Sequence, residues 1–112
     1  MNKIEKRLRR KRGIRKKIYG TPRKPRITVF KSNRHIYVQA IDDQLGRTLA
    51  HSSDVFAGAK KTKEGAVVVG EKLAEALKAK EITTAVFDRN GYLYHGLVKA
   101  VADGIRKGGV KI

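Results

Sequence analysis

Hydrophobic and polar residues alternate in the middle of the chain in a pattern that predicts three short strands. Ile27 and Val29 fall on one side of an extended segment that begins near Arg26, because successive strand side chains point to opposite faces. A second strand is predicted from His35 to Ile41 and a third from Arg47 to Ser52. Short polar turns join the three strands, so we expect an antiparallel meander.

The second half of the chain changes to helical periodicity on both sides of one more strand. A helix is predicted from its N-cap, Thr62, to about Lys80, and another begins near Gly96 or Leu97. Between them, residues Thr83–Phe87 predict a fourth strand. The element order is therefore βββαβα. The crossover predicts a mixed four-stranded sheet in the order 3-2-1-4 with two helices, which is an α/β fold.

The positive charge of the chain is concentrated at its N-terminus. The 112 residues include 27 Lys or Arg and 10 Asp or Glu, a formal net charge of +17, and fifteen of the basic residues but only one acid lie within residues 1–34. Such a density of charge repels itself in isolation and is tolerated beside a polyanion, of which nucleic acid is the commonest.

The chain therefore divides into two predicted parts. We expect residues 1–25 to form a basic RNA-binding arm and residues 26–112 to form a single α/β domain. Two apolar i, i+4 pairs in the arm favour a helix once a polyanion neutralises the charges, but alone the arm should be frayed or disordered. Gly20, Pro22 and Pro25 end any helix there.

Composition and motifs argue against several classes of function. The absence of cysteine excludes disulfides, thiolate zinc sites and cysteine nucleophiles. The three histidines lack the spacing of a metal site and the acids are scattered, so we expect no metal, no cofactor and no enzymatic activity. No apolar run approaches the ~20 residues of a membrane span. We expect a cytoplasmic protein with no membrane partner.

Two segments combine basic residues with aromatic rings, at residues 31–39 (KSNRHIYVQ) and 87–96 (FDRNGYLYHG). Unpaired RNA bases stack on aromatic rings and guanidinium planes, and amide or imidazole groups hydrogen-bond their edges. Both segments therefore predict RNA contacts. Two alternatives stay open, since Tyr37 could pack beneath a helix and His95 could satisfy a local hydrogen bond.

The chain resembles the bacterial family of the large-subunit ribosomal protein numbered eighteen. The resemblance extends over nearly the whole chain and is carried by RHIYVQ (34–39), FDR (87–89) and YHG (94–96), followed by VKA (98–100) and AD (102–103). Leu97 is a departure, because the family often has a basic residue there. The resemblance implies a ribosomal protein that binds 5S rRNA and helps attach it to 23S rRNA in the central protuberance, beside neighbouring ribosomal proteins.

Composition alone supports a broader alternative, a general basic nucleic-acid-binding protein that compacts DNA or acts as an RNA chaperone. Under either hypothesis the candidate RNA-binding residues are the cations of the arm together with the polar and aromatic residues of the two segments. They are Arg7, Arg9, Arg10, Lys11, Arg12, Arg15, Lys16, Lys17, Arg23, Lys24, Arg26, Lys31, Ser32, Asn33, Arg34, His35, Tyr37, Gln39, Arg89, Tyr92, Tyr94 and His95.

Overall fold

A computed structural model describes residues 2–15 and 18–112 and has the predicted α/β architecture. Strand β1 is antiparallel to β2, β2 is antiparallel to β3, and β4 is parallel to β1. The predicted strand order 3-2-1-4 is confirmed. The four strands are β1 (Arg26–Lys31), β2 (Ile36–Asp42), β3 (Arg47–Ser53) and β4 (Val86–Asp88).

The predicted bounds of the fourth strand need correction. β4 begins at Val86 rather than at Thr83. The residues before it pair with the C-terminal tail instead: Thr84 forms a parallel bridge with Lys111, and the Ala85 N–H donates to the Lys111 carbonyl at 2.9 Å. The tail thus covers part of an edge that would otherwise present unpaired backbone groups.

Two helices, α2 (Lys63–Ala79) and α3 (Gly96–Lys107), cover one face of the sheet. The predicted N-cap of α2 is confirmed, because the Thr62 hydroxyl accepts a hydrogen bond from the Gly65 N–H at 3.0 Å. The two helices approach closely at Gly70, where a Cβ atom would collide with the carbonyl oxygen of Val101. This close approach accounts for a glycine that would otherwise only weaken the helix.

The prediction of two helices was wrong, because the arm contains a third, which we number α1 (Lys3–Arg15). No residue of α1 is buried, so apolar packing contributes little to its stability. Instead Arg7 and Arg10 donate hydrogen bonds to backbone carbonyls of the loop after β4. These contacts join residues more than eighty positions apart, which local periodicity does not reveal. The division of the chain at residue 25 stays a prediction.

The core lies between the sheet and the helices α2 and α3. Alternation along the strands places the apolar residues there, as predicted, and within residues 2–15 and 18–112 no layer of helices covers the opposite face, which we call the open face. Tyr37 and Gln39 are exposed on that open face. The buried side chains contributed by β1 and β2 are Ile27, Val29, Ile36, Val38 and Ala40.

Candidate nucleic-acid interface

The loop after β4 holds helix α1 against the body of the protein. Arg7 Nε donates to the Asn90 carbonyl at 3.2 Å, and Arg10 Nε donates to the Gly91 carbonyl at 2.8 Å. Asn90 is buried and has a φ of +55°, and its side chain donates to the Val29 carbonyl at 2.9 Å. Arg7 and Arg10, both candidate RNA contacts, therefore also position the arm.

Tyr92 lies where two cations meet. The Arg7 guanidinium is 4.1 Å from the centre of its ring and Lys31 Nζ is 4.9 Å away, distances typical of cation–π contacts. The Tyr92 hydroxyl accepts a hydrogen bond from the Lys31 N–H at 3.2 Å. Burial lowers the pKa of Lys31, and the charges of Lys61 and Arg7 lower it further. This concentration of like charge favours an anion such as phosphate nearby.

Replacing Gly91 with alanine should release α1 from the loop. Gly91 has a φ of +76°, and a Cβ atom there would collide with the carbonyl oxygen of Arg7. The left-handed conformation alone costs alanine about 1 to 2 kcal/mol. Because the collision adds to that cost, limited proteolysis with trypsin should cleave the arm several-fold faster than in the unaltered protein.

Gly46→Ala is the matched control for this variant. Gly46 has a φ of +63°, but a Cβ atom there would meet nothing within 4 Å. The Gly46→Ala variant should have a lower thermal unfolding temperature, because alanine is strained at this φ. Trypsin should nevertheless cleave its arm no faster than in the unaltered protein. Equal cleavage rates in the two variants would contradict the role of Gly91 in docking α1.

Arg26 is enclosed in an ion network at the start of β1. Its Nε and Nη2 donate to the two carboxylate oxygens of Asp43 at 3.0 and 3.1 Å, and Nη1 donates to Asp88 at 2.8 Å. Burial opposes the charge of Arg26, but these hydrogen bonds outweigh it and raise its pKa. The hydrogen bond from Arg26 lowers the pKa of Asp43 despite partial burial, aided by the Gly20 N–H and Arg15. Arg26, a candidate RNA contact, is thus primarily committed to the fold.

The other arm cations differ in how accessible their side chains are to RNA. Arg15 donates to the Ile18 carbonyl at 3.1 Å and lies 3.7 Å from Asp43, so it too ties the arm to the body. Lys11 is half-buried beside Gly91. Lys16 and Lys17 lie outside the described residues. The exposed candidates in the arm are Arg9, Arg12, Arg23 and Lys24.

The turn between β1 and β2 is fixed by a residue that sequence reasoning missed. Lys61 Nζ donates to the carbonyls of Ser32 and Asn33 at 2.7 and 3.2 Å. The Ser32 hydroxyl in turn accepts from the His35 N–H at 3.2 Å, while Arg34 is exposed. The turn therefore presents its candidate residues in a defined conformation. The only sequence signal for Lys61 was its basic character.

The open face of the sheet carries a group of aromatic residues. Tyr37 is 39% exposed and is paired in register with Phe30, which is 49% exposed, and their ring centres are 6.1 Å apart. Gln39 is paired with His51, and both are exposed. Phe30 and His51 were not among the candidate residues. The alternation of β1, which places Ile27 and Val29 in the core, could have identified Phe30.

The second predicted segment contributes a separate group at the N-terminus of α3. Tyr94 is 40% exposed, its hydroxyl accepts a hydrogen bond from Arg106 at 2.9 Å, and its ring meets the edge of Phe87. His95 occupies the N-cap position of α3 without a capping side-chain hydrogen bond. Arg89 is partly exposed in the loop. Leu97, the departure from the family pattern, packs against the core.

Exposed acidic side chains lie mostly away from the arm and from the open face of the sheet. Among the described residues, the exposed carboxylates apart from Glu5 lie on the helices that cover the sheet or directly after α2. They are Glu64, Glu75, Glu81 and Asp103. The four aspartates outside the helices, Asp42, Asp43, Asp54 and Asp88, have side chains at most 11% exposed. The open face of the sheet and the arm are therefore the surfaces with the least repulsion toward a polyanion.

Comparison with known proteins identifies the family. A family described as ribosomal L18 of archaea, bacteria, mitochondria and chloroplast matches residues 1–112. The chain belongs to this family. It is 53% identical to the large ribosomal subunit protein uL18 of Campylobacter concisus, over 98% of this chain and 93% of that protein. It is 54% identical to the protein of the same name from Nitratiruptor sp., over 94% of this chain and 89% of that protein. It is also 54% identical to the protein of the same name from Treponema denticola, over 98% of this chain and 94% of that protein.

The resemblance seen in the sequence motifs is thus confirmed, and the family is one of ribosomal proteins rather than of enzymes. Within residues 2–15 and 18–112, no helix is long and apolar enough to cross a membrane. The same described residues include no group of three or more His, Cys, Asp or Glu side chains that could hold a metal ion.

Proposed function

We propose that this protein binds 5S rRNA and helps attach it to 23S rRNA in the central protuberance of the large ribosomal subunit, beside neighbouring ribosomal proteins. The observation that best supports this role is the pairing of an aromatic sheet face, on which the described residues expose no carboxylate, with a cationic arm in a chain of a ribosomal family. Phosphates are bound by cations, whereas bases and ribose hydroxyls are recognised by rings and hydrogen-bonding groups. The two surfaces supply both kinds of group.

Affinities for different nucleic acids test this proposal. The full chain should bind 5S rRNA about tenfold or more tightly than an unrelated structured RNA or duplex DNA at the same salt concentration, because phosphate contacts alone give no such preference. Fragments of 23S rRNA should be retained by the complex of protein and 5S rRNA. Equal affinity for 5S rRNA, the unrelated RNA and duplex DNA would instead identify a general basic nucleic-acid-binding protein.

Replacing Tyr94 with leucine should weaken recognition without weakening the general attraction to RNA. The exposed ring and hydroxyl are lost while apolar bulk is kept. Because base–aromatic stacking is typically worth ~1 to 3 kcal/mol, the affinity for 5S rRNA should fall at least several-fold. The affinity for an unrelated RNA, measured at the same salt concentration, should barely change.

Tyr94→Phe provides the comparison, since it keeps the ring and removes only the hydroxyl that accepts a hydrogen bond from Arg106. Circular dichroism shows whether each variant is folded. If Tyr94→Leu lost the same affinity for 5S rRNA and for the unrelated RNA, the tyrosine would have a structural role through its contacts with Arg106 and Phe87.

A further inference from the structure

Asp54 is a buried carboxylate directly behind a candidate RNA contact. It lies in the turn after β3 and is 4% exposed. Its Oδ1 accepts a hydrogen bond from the Ile36 N–H at 3.1 Å, and its own N–H donates to the Ile36 carbonyl at 3.2 Å. The other oxygen, Oδ2, is 3.0 Å from Nδ1 of His35. The carboxylate is therefore held in place by β2 and faces the imidazole.

The chemistry of this pair determines which nitrogen of His35 bears the proton. Burial alone would raise the pKa of Asp54, but the hydrogen bonds from His35 and from the Ile36 and Val55 N–H groups outweigh it, so the pKa is lowered. An ionised carboxylate only accepts hydrogen bonds, so Nδ1 must be the donor. In the neutral ring, Nε2 then bears a lone pair, because the bond made by one ring nitrogen fixes the tautomer of the other.

The surroundings hold the ring of His35 at the surface. The side chain is 40% exposed, and the edge of the ring faces Tyr37 with ring centres 6.1 Å apart. The backbone N–H and carbonyl of His35 are both bound by Ser32, whose own carbonyl is held by Lys61. The ring is thus oriented by Asp54 on one side and by a fixed turn on the other.

We propose that Asp54 is a positioning residue for RNA recognition, which fixes His35 so that Nε2 accepts a hydrogen bond from a donor group of the RNA. This inference rests on the proposed function. Phosphate oxygens carry no hydrogen, so the contact selects a donor group of the RNA, which is a ribose 2′-hydroxyl or an amino or imino N–H group of a base. A 2′-hydroxyl contact would distinguish RNA from DNA at this site.

The tautomer is tested on the free protein, labelled with ¹⁵N in its histidines. Long-range ¹H–¹⁵N spectra of the neutral ring should show His35 protonated at Nδ1 and unprotonated at Nε2. Asp54→Asn should remove this preference, while the signals of His51 and His95 stay unchanged as internal references. A neutral His35 protonated at Nε2 in the unaltered protein would overturn the proposal, whether or not any variant folds.

A double-mutant cycle tests whether Asp54 acts through His35. Loss of one oriented hydrogen bond, net about 1 kcal/mol, predicts that Asp54→Asn lowers the affinity for 5S rRNA about five-fold. In a His35→Phe background the same substitution should cause no further loss. Glu75→Gln, which removes an exposed carboxylate on α2, should have no effect in either background. An equal loss with and without His35 would show a merely structural role for Asp54 and overturn the proposal.

Nucleotide-analogue interference identifies the donor on the RNA. Pools of 5S rRNA with sparse 2′-deoxy substitution report 2′-hydroxyl contacts, and pools in which a base analogue lacks one amino or imino N–H group, prepared for each of the four bases, report contacts to base donors. At least one interference should appear with the unaltered protein and vanish with His35→Phe, whereas no such position in any pool would refute the contact. If the unaltered protein fails to bind 5S rRNA at all, the proposed function fails, and the tautomer measurement still decides the role of Asp54 on its own.

Discussion

Replacing Arg26 with methionine should destabilise the folded protein by about 3 to 5 kcal/mol, the usual cost of removing one partner of a buried ion pair. Three nitrogen atoms of Arg26 donate to Asp43 and Asp88. The side chains of Arg26 and Asp43 are each 11% exposed and that of Asp88 is 1% exposed, so methionine would leave two carboxylates without compensation. Equilibrium urea unfolding at neutral pH measures the loss.

The difference in unfolding free energy between Arg26→Met and the unaltered protein should shrink at low pH. Because the folded pKa of Asp43 is lowered, its ion pair adds stability above the unfolded carboxyl pKa of ~3.9, and this stability is lost as the pH falls through the folded value. Without Arg26 the main cause of that pKa shift is gone. Plots of unfolding free energy against pH for Arg26→Met and for the unaltered protein should therefore converge at low pH. Arg106→Met, which removes an exposed ion pair with Asp103, should change stability by less than about 1 kcal/mol. A loss of stability in Arg26→Met as small as that in Arg106→Met would show that the ion network of Arg26 contributes little to the fold.

The features of the fold that the sequence predicted are those encoded by neighbouring residues. Period-two alternation located β1, β2 and β3, and the Thr62 cap located α2. The crossover between β3 and β4 then left few sheet orders consistent with right-handed connections. These signals lie within one element or one turn, so periodicity and turn chemistry suffice to detect them.

The features that escaped prediction depend on contacts between distant residues. Helix α1 is held by carbonyls 81 and 83 positions away, and Arg26 meets carboxylates 17 and 62 positions away. A count of basic residues treats Arg7, Arg9 and Arg26 alike. The structure assigns Arg7 to docking the arm and Arg26 to the ion network, and leaves Arg9 exposed. The RNA-binding roles of the candidate residues stay predictions that binding experiments must decide.

Helix α1 offers a direct way to measure how much of the RNA affinity comes from exposed cations alone. Lys6, Arg9 and Arg12 are exposed along the helix, whereas Arg7 and Arg10 face the loop after β4. Replacing the three exposed cations with glutamine keeps good helix formers and leaves the docking contacts intact. If each cation neutralises one phosphate, the slope of log K against log salt should fall by about 2 to 3 units, since each contact contributes about 0.7 to 0.9.

The affinity should fall roughly one hundred- to five hundredfold at about 0.1 M salt, because the same slope gives each of the three phosphate contacts a factor of about five to eight over the decade of salt below about 1 M. The loss should be alike for 5S rRNA and for an unrelated RNA, since phosphate contacts carry no sequence information. The control replaces Lys72, Lys78 and Lys107 with glutamine, removing the same charge from the exposed surface of α2 and α3. Those cations lie among the exposed carboxylates, so their removal should change the slope little. A control that lost as much slope as the α1 variant would show that total charge, rather than the position of the arm, governs binding.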